Sequence, residues 1–352
     1  MAWKATMITT DNGEKVLAQS PYIISASRET DIPAFYMDWF VERIKRGYSA
    51  WVNPFNNKKS YVDYSNCKFI VFWSKNPKPL IQYIPFFQER GIDFYIQFTL
   101  NDYEREGLEP GIPPLDERVE TFKELSRLLG PDRVIWRFDP LVLTDTLTID
   151  VLISRIRRIM ARLDGYTRKL IFSFVDIKPY RKVASNLSMS GIKYQEWTSE
   201  LMGEFAGKLL GLRTGEFSYL EFATCGEAAS FNSIKKNKCV DDDLIIKLAW
   251  NDRELMDFLG VEIKTKYPSL FGDDMEDGAV SLDQYHYYIK KKDNKDTGQR
   301  QFCGCIMSKD IGQYNTCCHL CKYCYANNTP ELAMANHKAY LQNKYGETIL
   351  PV

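Results

Sequence analysis

Histidine is scarce. The chain has three, at positions 286, 319 and 337, too few to build the multi-histidine centres of many metalloenzymes. An excess of one charge is also lacking: Lys plus Arg number 46 and Asp plus Glu number 46. That balance removes the global attraction to polyanions, so neither nucleic acid nor a membrane surface is an expected partner. No apolar run approaches the roughly 20 residues a membrane helix needs. The polar stretch 1–19 has no secretory apolar core, and the expected location is cytoplasmic. No G-x-x-x-x-G-K-[ST] loop and no G-x-S-x-G elbow occurs, which leaves phosphate-loop and serine-hydrolase chemistry without a foothold.

Aromatics and cysteines are plentiful. Of 352 residues, 45% are apolar and 14% aromatic, a composition that folds rather than stays disordered. There are nine cysteines, and all but Cys67 follow residue 220. In a reducing compartment such crowding points to metal or redox chemistry rather than disulfides.

The first two thirds alternate short runs rich in Val, Ile, Phe and Tyr with longer segments of helical apolar spacing. Strands are expected at Tyr22–Ser27, Ala50–Asn53, Phe69–Trp73, Phe94–Leu100, Val134–Phe138, Leu170–Val175 and Tyr219–Thr224. Helices are expected at Pro33–Arg46, Pro79–Arg90, Glu117–Leu129, Ile149–Leu163 and Gln195–Leu210. The order strand, helix, strand, helix argues for an α/β fold with a parallel sheet. Seven or eight units suggest a TIM-like (β/α) barrel, full or partial, with an open doubly wound sheet as the alternative. The expected organisation is barrel units over 1–225, an excursion over 226–302 and a cysteine-rich unit over 303–352.

The expected strands end in polar residues. Ser27 and Arg28 follow one, Lys75 and Asn76 another, Arg137 and Asp139 share a face of a third, and Cys225, Gly226 and Glu227 follow a fourth. Taken singly, each is a strand-ending polar group or half of an ion pair. Taken together they outline a polar pocket, because strand C-termini carry the active site in such folds. Arg28, Lys75, Arg137, Asp139 and Glu227 are therefore candidate catalytic or substrate-binding residues. Trp51, Trp73 and Trp136 lie near strand ends. They read either as core or as the walls of a pocket for a ring-containing small molecule.

Cys317, Cys318, Cys321 and Cys324 crowd into one loop. The loop reads as C-x3-C-x2-C from Cys317 or as C-x2-C-x2-C from Cys318. Thiolates suit zinc or an iron–sulfur cluster. The second register opens a ferredoxin-type run, but no further cysteine follows Cys324. The first register, with aromatic Tyr323 before the last cysteine, resembles the signature of the radical S-adenosylmethionine (SAM) superfamily. The resemblance implies a [4Fe–4S] cluster on Cys317, Cys321 and Cys324, with one iron open to SAM and Tyr323 beside the cofactor. Ser27 and Asn76, at neighbouring strand ends, are further candidates to touch it. The motif usually follows the first barrel strand. Its place here, before a helical segment Glu331–Lys344, looks like a circular permutation.

More of the chain is similar to a bacterial family of unknown function with this C-terminal motif. The segments are Ser25–Pro33, Val52–Asn56, Phe72–Pro77, Gln97–Leu100, Trp136–Pro140 and Tyr314–Asn327.

Cys225, Cys239, Cys303 and Cys305 form a second set. Four thiols suffice for an auxiliary [4Fe–4S] cluster, with zinc or free thiols as alternatives. Cys67 and Cys318 are expected to be bystanders, and His319 a loop hydrogen-bonding group. The radical reading expects an external electron donor such as flavodoxin or ferredoxin. Three other readings stand beside it: a non-catalytic barrel stapled by iron–sulfur or zinc, a radical enzyme akin to those repairing nucleic-acid photoproducts, and a metal-independent enzyme using Arg137, Asp139 and Glu227.

Overall fold

The computed structural model of the chain describes residues 3–350, apart from 54, 55, 57, 214–216, 267, 270, 271 and 274. Pro54 and Phe55, within one of the matching segments, thus lie outside the described residues.

Eight strands build the main sheet. In chain order they are β1 Ile23–Ala26, β2 Phe69–Ser74, β3 Asp93–Thr99, β4 Val134–Leu141, β5 Lys169–Phe174, β6 Glu221–Thr224, β7 Lys235–Lys236 and β8 Lys309–Asp310. Across the sheet they run β7-β6-β5-β4-β3-β2-β1-β8, with every neighbouring pair parallel. The late strand β8 lies against the first, with Lys309 opposite Ile24 and Asp310 opposite Ser25. Among the described residues no ladder joins β7 to β8. The fold is thus mixed α/β around a large open parallel sheet. Both edge strands are only two residues long, which leaves little backbone with which to close a ring.

Both faces of the sheet are buried, and this is why its strands read as unbroken apolar runs. Ile70, Phe72, Ile96, Phe98, Trp136 and Phe172 pack toward the surrounding helices. These include α1 Ile32–Phe35, α2 Met37–Arg46, α3 Ile84–Glu89, α4 Leu115–Leu129, α5 Ile149–Arg162, α6 Arg181–Met189 and α7 Ser199–Gly211. The opposite face, Ile23, Phe69, Val71, Tyr95, Ile135 and Ile171, packs on Val240, Ile245, Ile246, Leu255 and Leu259. Those residues belong to, or just precede, α8 Asp242–Ala249 and α9 Arg253–Leu259. Each such side chain contributes about 1.5–3 kcal/mol when fully buried.

Helix α5 follows its sequence signals closely: Thr148 accepts from the Val151 amide as N-cap, and Leu152, Ile156 and Ile159 are buried. The expected helix Pro33–Arg46 is broken at Tyr36, which separates α1 from α2. The hydroxyl of Tyr36 is drawn into the core to donate to the Thr316 carbonyl at 2.6 Å, so tertiary contact overrides helix propensity. Pro79–Arg90 divides into a 3-10 turn, Lys78–Tyr83, and α3. Pro85 lacks the amide that would continue one helix through the junction.

The expected strand Ala50–Asn53 forms as Tyr48–Val52, but in a side sheet with Lys4–Thr9, Lys15–Ser20 and Lys59–Asp63. Asn53 therefore does not end a strand of the main sheet. The last helix, α10 Pro330–Gln342, follows the cysteine loop and packs Tyr340 edge-on against Tyr36 at 4.7 Å. Among the described residues no helix is long and apolar enough to cross a membrane.

Candidate metal centres at the polar edge of the sheet

The cysteine loop leaves β8 beside the C-terminal end of β1. Asp310 accepts from Ser25 Oγ at 2.8 Å and from the Arg28 amide at 3.0 Å. Gly312 sits directly on Ser27, where an added Cβ would fall 1.7 Å from Oγ. The Ser27 hydroxyl itself accepts from the amides of Glu29 and Thr30, at 2.9 and 3.2 Å. It is thereby engaged in shaping the turn after β1. Asn76 lies in the turn after β2, its amide donating to Ser74 Oγ at 3.0 Å.

Contacts from several directions pin the loop. Asn327 Nδ2 donates to the Cys317 carbonyl at 2.7 Å and Asn336 Nδ2 to that of Asn315 at 2.8 Å. The amides of Gly111 and Lys322 pair with the carbonyls of His319 and Leu108, each at 2.9 Å. Leu320, at φ 55°, takes the left-handed conformation, which is uncommon for a bulky residue. Here it turns the chain back between Cys318 and Cys321.

Cys317, Cys321 and Cys324 are half-buried. Burial pushes the Cys317 thiol up, and the neighbouring Asp31, Cys321 and Cys324 push it the same way. The Cys321 thiol is also raised, by burial and against the pull of Lys75. These three thiols therefore act on one another. Cys318 stands apart: burial alone raises its thiol, to about 11, and its Sγ turns back toward the Thr316 carbonyl at 3.9 Å. Cys317, Cys321 and Cys324 thus influence one another electrostatically, whereas burial is the one cause acting on Cys318.

Two buried groups, Glu109 and Asn101, and the half-buried Lys75 hold Tyr323 from the other side. Its hydroxyl donates to Glu109, accepts from Lys75 Nζ at 3.1 Å and accepts from Asn101 Nδ2 at 3.2 Å. Lys75 and Glu109 form a buried ion pair at 2.7 Å. Burial opposes ionisation of Glu109, but Lys75 and Arg118 outweigh it and hold the carboxyl below its usual range. Glu109 and Asn101 carry no sequence signal, and Asp31 shows only as a member of the Ser25–Pro33 segment.

The second set of cysteines also converges. Cys225 follows β6, Cys239 precedes α8, and Cys303 and Cys305 precede β8. Sγ of Cys225 lies 3.1 Å from Sγ of Cys239, well beyond the roughly 2.05 Å of a disulfide. The thiols of Cys239 and Cys305, and those of Cys305 and Cys303, are hydrogen-bonded neighbours. Arg137 Nη1 and Asn237 Nδ2 donate to Cys239 Sγ at 3.1 and 3.2 Å. The amides of Cys239 and Val240 point at Cys305 Sγ, at 3.2 and 3.4 Å. Hydrogen bonds from Cys225 and Cys305 push the Cys239 thiol well down, and nearby Arg137 adds to this.

Arg137 ties the two sets together. Besides Cys239 it holds Asp139 Oδ2 at 2.6 Å. The Asp139 amide reaches Asn101 Oδ1 at 2.9 Å, and Asn101 leads to Tyr323. Arg28 and Arg137 lie on the ring of Trp73, at 5.2 and 5.3 Å from its centroid. Trp136 is instead fully buried core. Glu227 accepts from the Phe174 amide at 3.0 Å, and burial raises its carboxyl to about 7. Cys67 is buried away from both sets, its thiol raised by burial to about 12.

Size separates one ion from a cluster. Four sulfurs on a tetrahedral zinc at about 2.3 Å stand roughly 3.8 Å apart. Among the described residues, no three cysteine sulfurs lie within 4.8 Å of one another. The one compact ligand group, Asp241–Asp243, is taken up by Lys169, Lys238 and Lys290. A surface cavity of about 760 Å³ lies beside α9, lined by Trp250, Arg253, Met256 and Lys291, and no cysteine borders it.

Residues 23–326 match the family described as "Domain of unknown function (DUF1848)". The chain belongs to this family. The matched region opens on β1 and closes two residues after Cys324, so it takes in both cysteine sets. No curated protein and no solved structure matches the chain.

Proposed function

We propose that this DUF1848 protein is a radical SAM enzyme, with Cys317, Cys321 and Cys324 as ligands of a [4Fe–4S] cluster. The observation that carries the reading is the sorting of the loop: the thiols of Cys317, Cys321 and Cys324 act on one another electrostatically, while that of Cys318 is raised by burial alone and turns to the Thr316 carbonyl. Three ligands leave an open coordination position, where a four-ligand site is closed. The placement of β8 beside β1 fits a permuted (β/α) barrel in which this loop follows the first strand of the ring. On this reading 1–225 supply the barrel units, 226–302 cover one sheet face, and 303–352 complete the site.

When bound, such a cluster with SAM supplies a carbon radical able to take hydrogen from an unactivated position. The chain's own residues position and shield. Gly111 and His319 hold the loop in place. Lys75, Glu109 and Asn101 fix the Tyr323 ring beside the cofactor. Arg28 and Arg137 on Trp73 offer a cationic, aromatic wall to a small-molecule substrate, ring-containing for preference. Asp139 and Glu227 are the acceptors at its rim, and Ser27 and Asn76 shape the turns that border the cofactor. The electron comes from an external donor of flavodoxin or ferredoxin type, in the cytoplasm.

The test is anaerobic reconstitution, reduction and assay for 5′-deoxyadenosine formed from SAM. Cys317→Ser is expected to abolish it and Cys318→Ser to preserve it. No product from fully loaded, reduced protein, or the reverse order of the two variants, overturns the reading.

A further inference from the structure

The four-thiol site holds no obvious place in cofactor cleavage, yet it is the more deeply built of the two. Its members come from three separate segments, each anchored by its own backbone. The Cys225 amide donates to the Phe172 carbonyl at 3.0 Å, fixing it to β5. The Cys239 carbonyl accepts from Tyr95 Oη at 2.6 Å and Gln97 Nε2 at 2.9 Å, fixing it to β3. The Cys303 amide donates to the Arg300 carbonyl, and the Ile306 amide joins Val240 at 3.1 Å. Cys239 and Cys305 are each 2% exposed. Free thiols do not require such anchorage, and burial this deep hides them from oxidants and partner proteins.

The surroundings are those of a negatively charged group. Two side-chain N–H donors reach Cys239 Sγ and two backbone amides reach Cys305 Sγ. Arg28 acts on Cys239 and Cys305, and Arg300 on Cys225 and Cys303. With Arg137, three guanidiniums surround four thiols. An Nη2 of Arg28 is buried with no partner of its own. The sulfurs form a string from Cys225 through Cys239 and Cys305 to Cys303, and no three of them lie within 4.8 Å of one another.

We propose that Cys225, Cys239, Cys303 and Cys305 ligate a second iron–sulfur cluster, of the [4Fe–4S] class. All four irons then have protein thiolates, so this cluster is closed and exchanges electrons without binding substrate at iron. The N–H···S bonds and the arginines favour its more reduced, more negative state. This inference does not depend on the reading of the Cys317 loop.

The experiment is iron and sulfide analysis, with electron paramagnetic resonance, on full-length protein reconstituted anaerobically. The variant Cys317→Ser/Cys321→Ser/Cys324→Ser isolates the second site. It is expected to keep about four irons per chain and a dithionite-reducible cluster signal. Cys239→Ser/Cys305→Ser in the wild-type background is expected to lose about half of the total iron. Arg137→Gln is expected to shift the midpoint potential of the retained cluster downward. Zinc without iron in the loop variant, or no metal at all, overturns the proposal. So does unchanged iron content when Cys239 and Cys305 are replaced. Should that second variant not fold, the loop variant alone decides.

Discussion

Nε2 of His319 lies 2.7 Å from Oδ2 of Asp31, a residue 288 positions earlier in the chain. The same carboxylate caps α1 through the Ala34 amide at 2.9 Å, and it accepts from Ser74 Oγ and the Lys75 amide, each at 2.7 Å. One buried side chain thus joins the turn after β1, the end of β2 and the cysteine loop. Replacing Asp31 by Ala strands several buried donors and is expected to cost about 3–5 kcal/mol. Chemical denaturation measures that loss. His319→Ala, which removes only the loop's tether, is expected to cost less while lowering iron retention at the Cys317 site.

Gly111 makes the loop's closest backbone approach. A Cβ there would meet the Cys318 carbonyl oxygen at 2.3 Å and that of His319 at 2.8 Å. Gly111→Ala must displace the loop. With clusters at both proposed sites, the expected outcome is loss of iron from the Cys317, Cys321 and Cys324 site and its retention at the four-thiol site. Iron counts on the reconstituted variant check this; equal loss at both sites would refute it.

The ion pair of Lys75 and Glu109 is buried, so the two partners are unequal to their sum. Glu109→Gln leaves the lysine charge without its counterion and is expected to destabilise by about 3–5 kcal/mol. Tyr323→Phe removes one hydroxyl from the same network and is expected to cost about 1–3 kcal/mol. A double-mutant cycle read by denaturant midpoint tests whether the two changes couple.

Burial raises the Glu29 carboxyl to about 8, and the nearby Asp310 adds to this. The folded protein therefore holds a proton there that the unfolded chain has released. Stability from this group is present at low pH and falls as pH rises from the ordinary glutamate value through about 8. The thermal unfolding midpoint is expected to fall over that window in the wild type. Glu29→Gln is expected to flatten the profile and gain stability at its alkaline end.

Much of this architecture was legible in the sequence, for identifiable reasons. Strands buried on both faces announce themselves as apolar runs, so the β2, β3, β4 and β5 segments were found with near-correct limits. Helix α5 has a capping threonine and an unbroken stripe, so its start was found to the residue. Pairing partners are less legible. The residues of Tyr48–Val52 signal a strand but do not say which sheet receives it. The cysteines are visible as spacing, and Cys225 stands at an expected strand end, but only the fold shows that Cys239, Cys303 and Cys305 join it. Glu109 and Asn101 have no signal because a single buried carboxylate or amide has no period, and Asp31 stands in a recognisable segment that says nothing of its partners. Only the fold shows that each is surrounded.

The contact between Ser25 and Asp310 spans 285 residues. A ribosome releasing this chain in order exposes β1 long before β8 exists to cover it. Until then one edge of Ile23–Ala26 keeps its backbone groups unpaired, the kind of edge that recruits stray strands. Contacts of such sequence separation are slow to form. Strand β8, with the cysteine loop that follows it, is therefore the last part of the sheet to arrive, and it docks on a platform whose other strands are already made.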